Sequence, residues 1–370
     1  MSYGVMFTVL DDFRDKYGIA ESKLGLIVGA GFITGFIANI LIAPFADKGH
    51  AKTLIRIGLA MQIFGCLVMA FGNSFPLLFA GRFLTGLGSG ASEPAIRRII
   101  ILANPHEMGN NLGRILSANV AGFSIGPVLA AITVGTFGLS APFLLVTALL
   151  VLVSFGMKQV TVEEAEISEA PKQKLAFDLL RIRALNGVLV IGLALFIMIG
   201  TFDSIWSLMM DDKNAPSWVS SVGITVFALP MIFIAPIGGR FTQRIGPLKA
   251  SIGGLTFGCL FMVLYGTLDS PYAMVAVGLC HGIVDGLTVT GGSAAIALVA
   301  PRERLASAQG LTGGLQTLMG GVAAGVAGIT YESIGQRTYV ACAGVMVLLI
   351  LAGMWLAKDS LHIAGDPAEV

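Results

Sequence analysis

Charged residues are scarce in this chain: Asp, Glu, Lys and Arg make up 12% of its 370 residues, whereas apolar residues make up 55%. A soluble domain usually carries about 25% charged residues. The mean hydropathy is +0.84, and the apolar runs are far longer than the strands of a membrane barrel. The scarcity of charge therefore excludes a soluble globular domain and favours helices that cross a membrane. The net charge of +1 gives no reason to expect a nucleic-acid partner.

Cysteines and catalytic motifs are also few. The four cysteines lie inside apolar runs, without the spacing of a metal or redox site, and we interpret them as packing residues. The sequence contains no GxxxxGKS/T nucleotide loop, no HExxH motif and no Ser-centred elbow. We therefore expect no enzymatic activity, no cofactor, no metal site and no ATP-driven export by this chain alone.

Long apolar runs predict eleven membrane spans in this sequence. A shorter apolar run, 2–10, comes first, and the polar stretch after it, 11–22, is interpreted as a loop. A charged stretch at 158–183 follows the first five spans, and we interpret it as a linker. The predicted spans cover approximately 24–46, 54–71, 75–96, 115–134, 139–157, 185–209, 219–238, 250–268, 271–299, 311–330 and 339–357.

Lys and Arg are distributed unevenly between the predicted loops. Most of the 23 lie in the loops that begin at Asp47, Arg97, Lys158, Gln243 and Arg302. Because basic loops face the cytoplasm, we expect a cytoplasmic C-terminus in a multi-pass protein of the plasma or inner membrane. The predicted domains are an N-terminal bundle over 1–157, a cytoplasmic linker over 158–184, a C-terminal six-helix bundle over 185–357 and a cytoplasmic tail over 358–370.

A weak internal repeat supports this division. A shift of about 196 residues aligns Phe45 with Phe241 and Gly86 with Gly282. We therefore predict an all-α polytopic membrane protein built from two six-helix bundles that are related by a pseudo-two-fold axis, with the first helix incomplete. Under this alignment the native protein is expected to begin upstream of Met1; the alternative is an authentic protein with a partial first helix.

Few ionisable residues lie inside the predicted spans, and the candidates among them are Arg82, Glu93, Asp203, His281 and Asp285. Such residues are costly in lipid, normally face a bundle interior or cavity, and are functional by default. The pKa of a carboxyl group responds to burial and to nearby charge, which is the tuning that proton coupling needs. Asp203 and Asp285 are therefore the coupling candidates, with His281, four residues before Asp285, as a modulator. The open alternatives are a solvated acid at Asp203 and a structural pair at His281 and Asp285.

A charged motif occurs twice. The first copy, APFADKGHAK, places Asp47, Lys48 and Lys52 after the first long span. The second copy, GRFTQRIGPLK, contains Arg240 and Arg244 but has glutamine where the acid of the first copy stands. Basic residues at such positions would enforce membrane orientation even without any further role.

These motifs resemble the major facilitator superfamily over essentially the whole chain. The segment GRFLTGLG around Arg82 is similar to its fourth-span signature. The segment GFSIGP, with Gly122, Gly126 and Pro127, is similar to a signature of the drug:proton antiporters. The resemblance implies a cytoplasmic gate at the charged motif, a counter-ion or proton-relay role for Arg82 and a helix bend at Gly126-Pro127; the alternative for the bend is a packing kink without a mechanism.

The predicted function is proton-coupled efflux of small lipophilic or cationic molecules by alternating access. The apolar, Phe- and Met-rich wall of the spans suits varied lipophilic ligands, although many of these side chains can equally face lipid. The expected partners are a small-molecule substrate, protons and the lipid bilayer, and the expected state is a monomer. Two alternatives stay open: a metabolite uptake or export carrier, and a non-transporting membrane protein or inactive truncated remnant.

Overall fold

The computed structural model of the protein describes residues 1–157 and 175–361, which form thirteen α-helices joined by turns and short 3₁₀ helices. Long apolar segments are helical because a bilayer offers no water to bond the main chain, so each segment must bond its own. The helices are α1 Ser2–Thr8, α2 Leu10–Tyr17, α3 Glu21–Leu41, α4 Ala51–Phe71, α5 Phe75–Ala103, α6 Met108–Phe137, α7 Ser140–Gly156, α8 Arg183–Asp212, α9 Ser217–Ile245, α10 Pro247–Thr267, α11 Pro271–Val299, α12 Leu305–Ile334 and α13 Thr338–Leu356.

Eight segments of the described chain are long and apolar enough to cross a membrane. Seven of them contain one α-helix each, and the eighth, Arg302–Leu356, contains both α12 and α13. Four helices fall outside this set: the short helices α1 and α2, α7, which has 17 residues, and α5, which carries four charged residues. The predicted all-α polytopic membrane fold is confirmed.

The interpretation of 11–22 as a polar loop is wrong for its first part, which belongs to α2. Phe13 is the buried residue of this helix, and it joins an apolar cluster with Val5 and Val9. Gly18, with a φ of +64°, ends the helix in the left-handed conformation. One apolar anchor in a charged segment does not give the repeated apolar spacing by which a sequence predicts a helix.

The chain forms two compact units, each assembled from three separate segments. The first unit holds Met1–Ile99, Ala121–Ala176 and Arg302–Gly314, and the second holds Ile100–Val120, Phe177–Pro301 and Leu315–Val370. Residues 158–174 of the predicted linker and 362–370 of the predicted tail lie outside the described residues. The predicted division into bundles at 1–157 and 185–357 stays a prediction.

Glycines in the first unit bring α5 close to both α3 and α4. Gly86 on α5 faces the main chain of Gly31 on α3, and Gly88 faces the main chain of Gly58 on α4. A Cβ atom at Gly86 or Gly88 would collide with the opposite main chain. Small residues allow membrane helices this close an approach, so these glycines pack α5 tightly against α3 and α4.

In the second unit, α11 packs against both α9 and α10, while α13 packs against α8 and α10. Gly282 on α11 lies against the carbonyl group of Phe227 on α9. This close packing buries His281 and Asp285 on α11. Three of the four cysteines are buried, as the packing interpretation expects, whereas Cys280 on α11 is exposed.

Candidate transport sites

Asp47 caps the start of another helix within the first unit. It lies at the end of the 3₁₀ helix Ala43–Lys48 and is fully buried. Its Oδ1 accepts a 2.9 Å hydrogen bond from the main-chain N–H of Ala306, and its Oδ2 accepts bonds of 2.7 Å from the N–H and the hydroxyl of Ser307. Nε of Arg98 lies 3.1 Å from Oδ1. The carboxylate therefore binds both a buried arginine and the first turn of α12.

The other acidic and basic residues predicted near this motif have separate surroundings. Lys48 lies with Nζ 5.6 Å from the ring centre of Phe45, and Lys52 is half-buried on α4. Glu93 accepts a 2.6 Å bond from Nη2 of Arg97, one turn further along α5. The structure therefore brings Asp47 to Arg98 and α12, and it brings Glu93 to Arg97.

The second copy of the motif makes an equivalent cap in the second unit with an uncharged side chain. Oε1 of Gln243 accepts a 2.7 Å bond from the N–H of Gly109, and its Nε2 donates a 2.9 Å bond to the carbonyl of Pro105. Nε of Arg240 lies 3.2 Å from a carboxylate oxygen of Glu107 in an exposed ion pair. Arg244 is exposed. Gln243 thus bonds the start of α6 as Asp47 bonds the start of α12.

Arg82 is buried inside the first unit with 1% of its surface exposed. Its guanidinium carbon lies 3.6 Å from the ring centre of Tyr3 and 5.8 Å from that of Phe32. Its three side-chain nitrogen atoms have no hydrogen-bond partner among the described residues. Arg82 therefore makes a cation–π contact with Tyr3 in place of the ion pair that a buried arginine usually makes with a carboxylate.

The Gly-Pro motif of α6 forms the surface on which α1 rests. A Cβ atom at Gly126 would lie 2.7 Å from the carbonyl oxygen of Met1, and a Cβ atom at Gly4 would lie 2.9 Å from Cδ of Pro127. Gly122 also faces Met1. The helix runs from Met108 to Phe137 without a break at the proline. The motif therefore provides close helix packing, and the predicted bend stays a prediction.

His281 and Asp285 form a buried pair on α11, each with 1% of its surface exposed. Nε2 of His281 lies 3.6 Å from Oδ2 of Asp285. The hydroxyl of Tyr265 on α10 lies 3.3 Å from Nδ1 of the same imidazole. Neither carboxylate oxygen of Asp285 has a hydrogen-bond partner among the described residues. Tyr265, His281 and Asp285 therefore form a continuous polar chain in the interior of the second unit.

Aromatic rings surround the imidazole of His281. Phe227 and Phe261 lie with their ring centres 5.1 and 5.0 Å from it, and Phe202 lies 6.0 Å away with its ring nearly perpendicular. Asp203 follows Phe202 on α8, has an exposed side chain and lies close enough to interact electrostatically with Asp285. The structure thus brings all three predicted acid and imidazole groups of the second unit to one region.

Comparison with known proteins decides the family. A profile described as Major Facilitator Superfamily matches residues 1–221 and 188–369. The chain belongs to the major facilitator superfamily. Members of this superfamily bind small-molecule substrates, and this chain is a multi-pass membrane transporter.

Two bacterial relatives of this superfamily member carry drug-resistance names. The chain is 23% identical over 300 residues to the Multidrug resistance protein MdtG of Salmonella paratyphi C, covering 77% of this chain and 74% of MdtG. It is 26% identical over 218 residues to the Quinolone resistance protein NorA of Staphylococcus aureus, covering 58% of this chain and 56% of NorA. The chain therefore resembles the drug:proton antiporter branch of the superfamily.

Solved structures of the superfamily share the fold. The human organic anion transporter MFSD10 matches with a TM-score of 0.73 at 17% identity, covering 95% of this chain and 89% of that chain. The Escherichia coli fucose:proton symporter FucP matches with a TM-score of 0.73 at 14% identity, covering 96% and 95%. At these identities the likeness concerns the fold alone.

Four residues that complete the sites of this superfamily member were not predicted from its sequence. Arg98 was expected in a cytoplasmic loop, but it lies on α5 and binds Asp47. Ser307 contacts Asp47, Tyr265 contacts His281 and Tyr3 contacts Arg82. The two residues of each pair are far apart in the sequence: 51 positions for Arg98 and Asp47, 260 for Ser307 and Asp47, 16 for Tyr265 and His281, and 79 for Tyr3 and Arg82. Local spacing in the sequence therefore does not predict these contacts. The apolar surroundings of Tyr3 and Tyr265 were the available hint, since a buried tyrosine hydroxyl usually has a polar neighbour.

Proposed function

We propose that this transporter exports small lipophilic or cationic molecules in exchange for protons. The observation that carries the proposal is the buried pair of His281 and Asp285, because both oxygens of Asp285 lack hydrogen-bond donors among the described residues. The charge of such a carboxylate must be balanced by a proton or a cation. A group that alternates between these two partners can couple proton entry to substrate exit.

The substrate class follows from the surroundings of this pair. Phe202, Phe227 and Phe261 offer apolar faces beside a carboxylate, and aromatic faces attract lipophilic molecules and organic cations. Asp203, which is exposed and close to Asp285, is the first group that a cation would meet. The names of the relatives, a multidrug and a quinolone resistance protein, support efflux of drug-like molecules.

Alternating access needs an element with two stable arrangements, and we assign this role to the cap that Asp47 makes on α12. Its bonds to Arg98, Ala306 and Ser307 form together or break together, because one buried carboxylate serves them all. Gln243 supplies the equivalent cap on α6. In this proposal both caps lie on the cytoplasmic side of the inner membrane, the C-terminus is cytoplasmic and the transporter acts as a monomer.

Expression in a pump-deficient bacterium tests the proposal, with loss of a fluorescent cationic dye as the readout. We expect uncoupler-sensitive dye efflux from the wild-type chain and loss of efflux in Asp285→Asn and Asp203→Asn. Asp269→Asn is the matched control, because Asp269 is a fully exposed acid of the same unit. No efflux despite good membrane expression would reject broad drug efflux in favour of a dedicated metabolite carrier. Efflux that persists in both Asp203→Asn and Asp285→Asn would reject the coupling site.

A further inference from the structure

Arg82 is a buried cation that the proton-coupling site of the second unit does not use. We propose that its guanidinium group binds the acidic group of a lipophilic molecule that the protein transports, and that the ring of Tyr3 covers this site when it is empty. The inference rests on the proposed transport function and adds lipophilic molecules that carry a carboxylate to its substrates.

The first argument is the number of unused donors. A guanidinium group carries five N–H donors in a planar fork, and this geometry matches two carboxylate oxygens. The Nε and both Nη atoms of Arg82 lack an acceptor among the described residues, although they are inaccessible to solvent. Burial of an unpaired charge is strongly unfavourable, and a cation–π contact with Tyr3 compensates only part of this cost. An anionic acceptor would complete the site.

The second argument is that four acids of the first unit are already paired with other arginines. Asp47 binds Arg98, and Glu93 binds Arg97. On α2, Asp11 and Asp15 both lie within 3.2 Å of nitrogen atoms of Arg14. These four carboxylates are therefore not available to balance the charge of Arg82.

The third argument is that the surroundings hold the guanidinium in place and cover it. Gly31 has no side chain, and a Cβ atom there would collide with Nε of Arg82. The ring of Tyr3 lies against the guanidinium, and its hydroxyl donates a 3.2 Å bond to the carbonyl of Gly31 and lies 3.5 Å from Oγ of Ser89. Tyr3 is half-buried on the short helix α1, so a side-chain rotation can move its ring away from the guanidinium. Gly31 contacts the guanidinium through helical main chain, which cannot rotate away in this manner.

The shape and charge of this site define the class of ligand. One cation can balance one negative charge, and a carboxylate makes the planar, bidentate contact that suits arginine. Phe32 and Tyr3 supply aromatic surface beside the charge, which favours an apolar body on the acid. An aromatic monocarboxylate such as benzoate is therefore the appropriate probe, and benzamide is its neutral counterpart of the same shape.

Equilibrium binding of radiolabelled benzoate to the purified full-length chain in detergent tests this assignment. We expect saturable binding that benzamide and chloride do not displace. Arg82→Gln should weaken binding about ten-fold or more, since it removes a charge-assisted bidentate contact. Arg56→Gln removes an exposed arginine of the same unit and should leave binding unchanged. If Arg82→Gln does not fold, Arg82→Lys keeps the charge without the fork and should also bind more weakly.

Tyr3→Ala tests the cover separately. Removal of the ring should speed benzoate association several-fold while Arg82 remains in place; an unchanged or slower association rate contradicts the cover. Absence of benzoate binding, equal affinity in Arg82→Gln or in the folded Arg82→Lys variant, or displacement by benzamide overturns the assignment to an organic acid. Displacement by chloride overturns it in favour of an inorganic anion. The assay needs no proton gradient, so binding without dye efflux rejects only the proposed function, whereas dye efflux without binding rejects only this inference.

Discussion

Oδ2 of Asp47 accepts hydrogen bonds of 2.7 Å from both the main-chain N–H and the hydroxyl of Ser307, although 260 residues separate the two. The N–H groups at the start of a helix have no partner inside that helix and carry partial positive charge. Asp47 therefore neutralises the first turn of α12 as well as the guanidinium of Arg98. The local arrangement of these three elements in the first unit depends on one carboxylate.

Replacement of this carboxylate should be severe. Asp47→Asn leaves Arg98 buried without its counter-charge and weakens the cap on α12. Removal of one partner from a buried ion pair costs about 3–5 kcal/mol, so we expect a large loss of thermal stability for the purified protein in detergent. We also expect reduced transport, because the same bonds form the proposed gate. Thermal unfolding followed by intrinsic fluorescence measures the first effect.

Two comparisons identify the cause of that loss. Asp12→Asn makes the same chemical change at an exposed position of the first unit and should leave stability within about 0.5 kcal/mol of wild type. The double variant Asp47→Asn with Arg98→Met should regain part of the loss, because the unpaired arginine is the main source of the cost. A double variant as unstable as the sum of its single changes would show that Arg98 is not the relevant partner.

Gln243 leads to a prediction opposite to the one that the family motif suggests. A return to the acid of the first copy, Gln243→Glu, keeps an acceptor for the N–H of Gly109 but places a carboxylate oxygen against the carbonyl of Pro105. Loss of that donor with a buried acceptor left behind costs about 1–3 kcal/mol. We therefore expect Gln243→Glu to unfold at a lower temperature than wild type. Equal or higher stability would mean that an acid fits the second cap as well as an amide.

The fold was predictable because the composition and the lengths of the apolar runs determine it. Apolar runs of membrane length leave a helix as the main way to satisfy the backbone, and this constraint predicted α3, α4 and α8 through α11 without tertiary information. Helix α2 was missed because its stability depends on Phe13 packing in a cluster with residues of other helices. A contact of that kind leaves no periodic pattern in the local sequence.

The candidate sites were predictable only in part, for a related reason. A charge inside an apolar run stands out in a sequence, which is how Arg82, Asp203, His281 and Asp285 were found. The partner that completes each site is an ordinary residue type at a distant position, such as Tyr265. Such a residue becomes distinctive only when the fold brings it beside the charge.

The substitutions Tyr265→Phe and Tyr339→Phe each remove one buried hydroxyl group, but only the first removes a hydrogen bond. The hydroxyl of Tyr265 contacts Nδ1 of His281, whereas the buried hydroxyl of Tyr339 has no partner among the described residues. Tyr265→Phe should therefore lower the free energy of unfolding by about 1–2 kcal/mol, because it leaves a buried imidazole nitrogen unpaired. Tyr339→Phe should be neutral or stabilising. Thermal unfolding of the two purified variants decides this, and a reversed order would contradict the polar chain.

Substitution of two glycines of α6 distinguishes the effect of close helix packing on stability from the effect of intrinsic helix propensity. A Cβ atom at Gly126 would lie 2.7 Å from both the carbonyl oxygen of Met1 and the main-chain nitrogen of Val5, whereas a Cβ atom at Gly135 has no atom within 4 Å. Gly126→Ala should therefore destabilise the protein by about 1–3 kcal/mol, since α1 would have to move away from α6. Gly135→Ala should stabilise it by up to about 1 kcal/mol, because alanine loses less conformational freedom in a helix. The melting temperatures of the two variants in one detergent test this. Similar shifts of the same sign would indicate that α1 does not rest on Gly126, and the Gly-Pro motif would then be free to act as the bend that the sequence predicts.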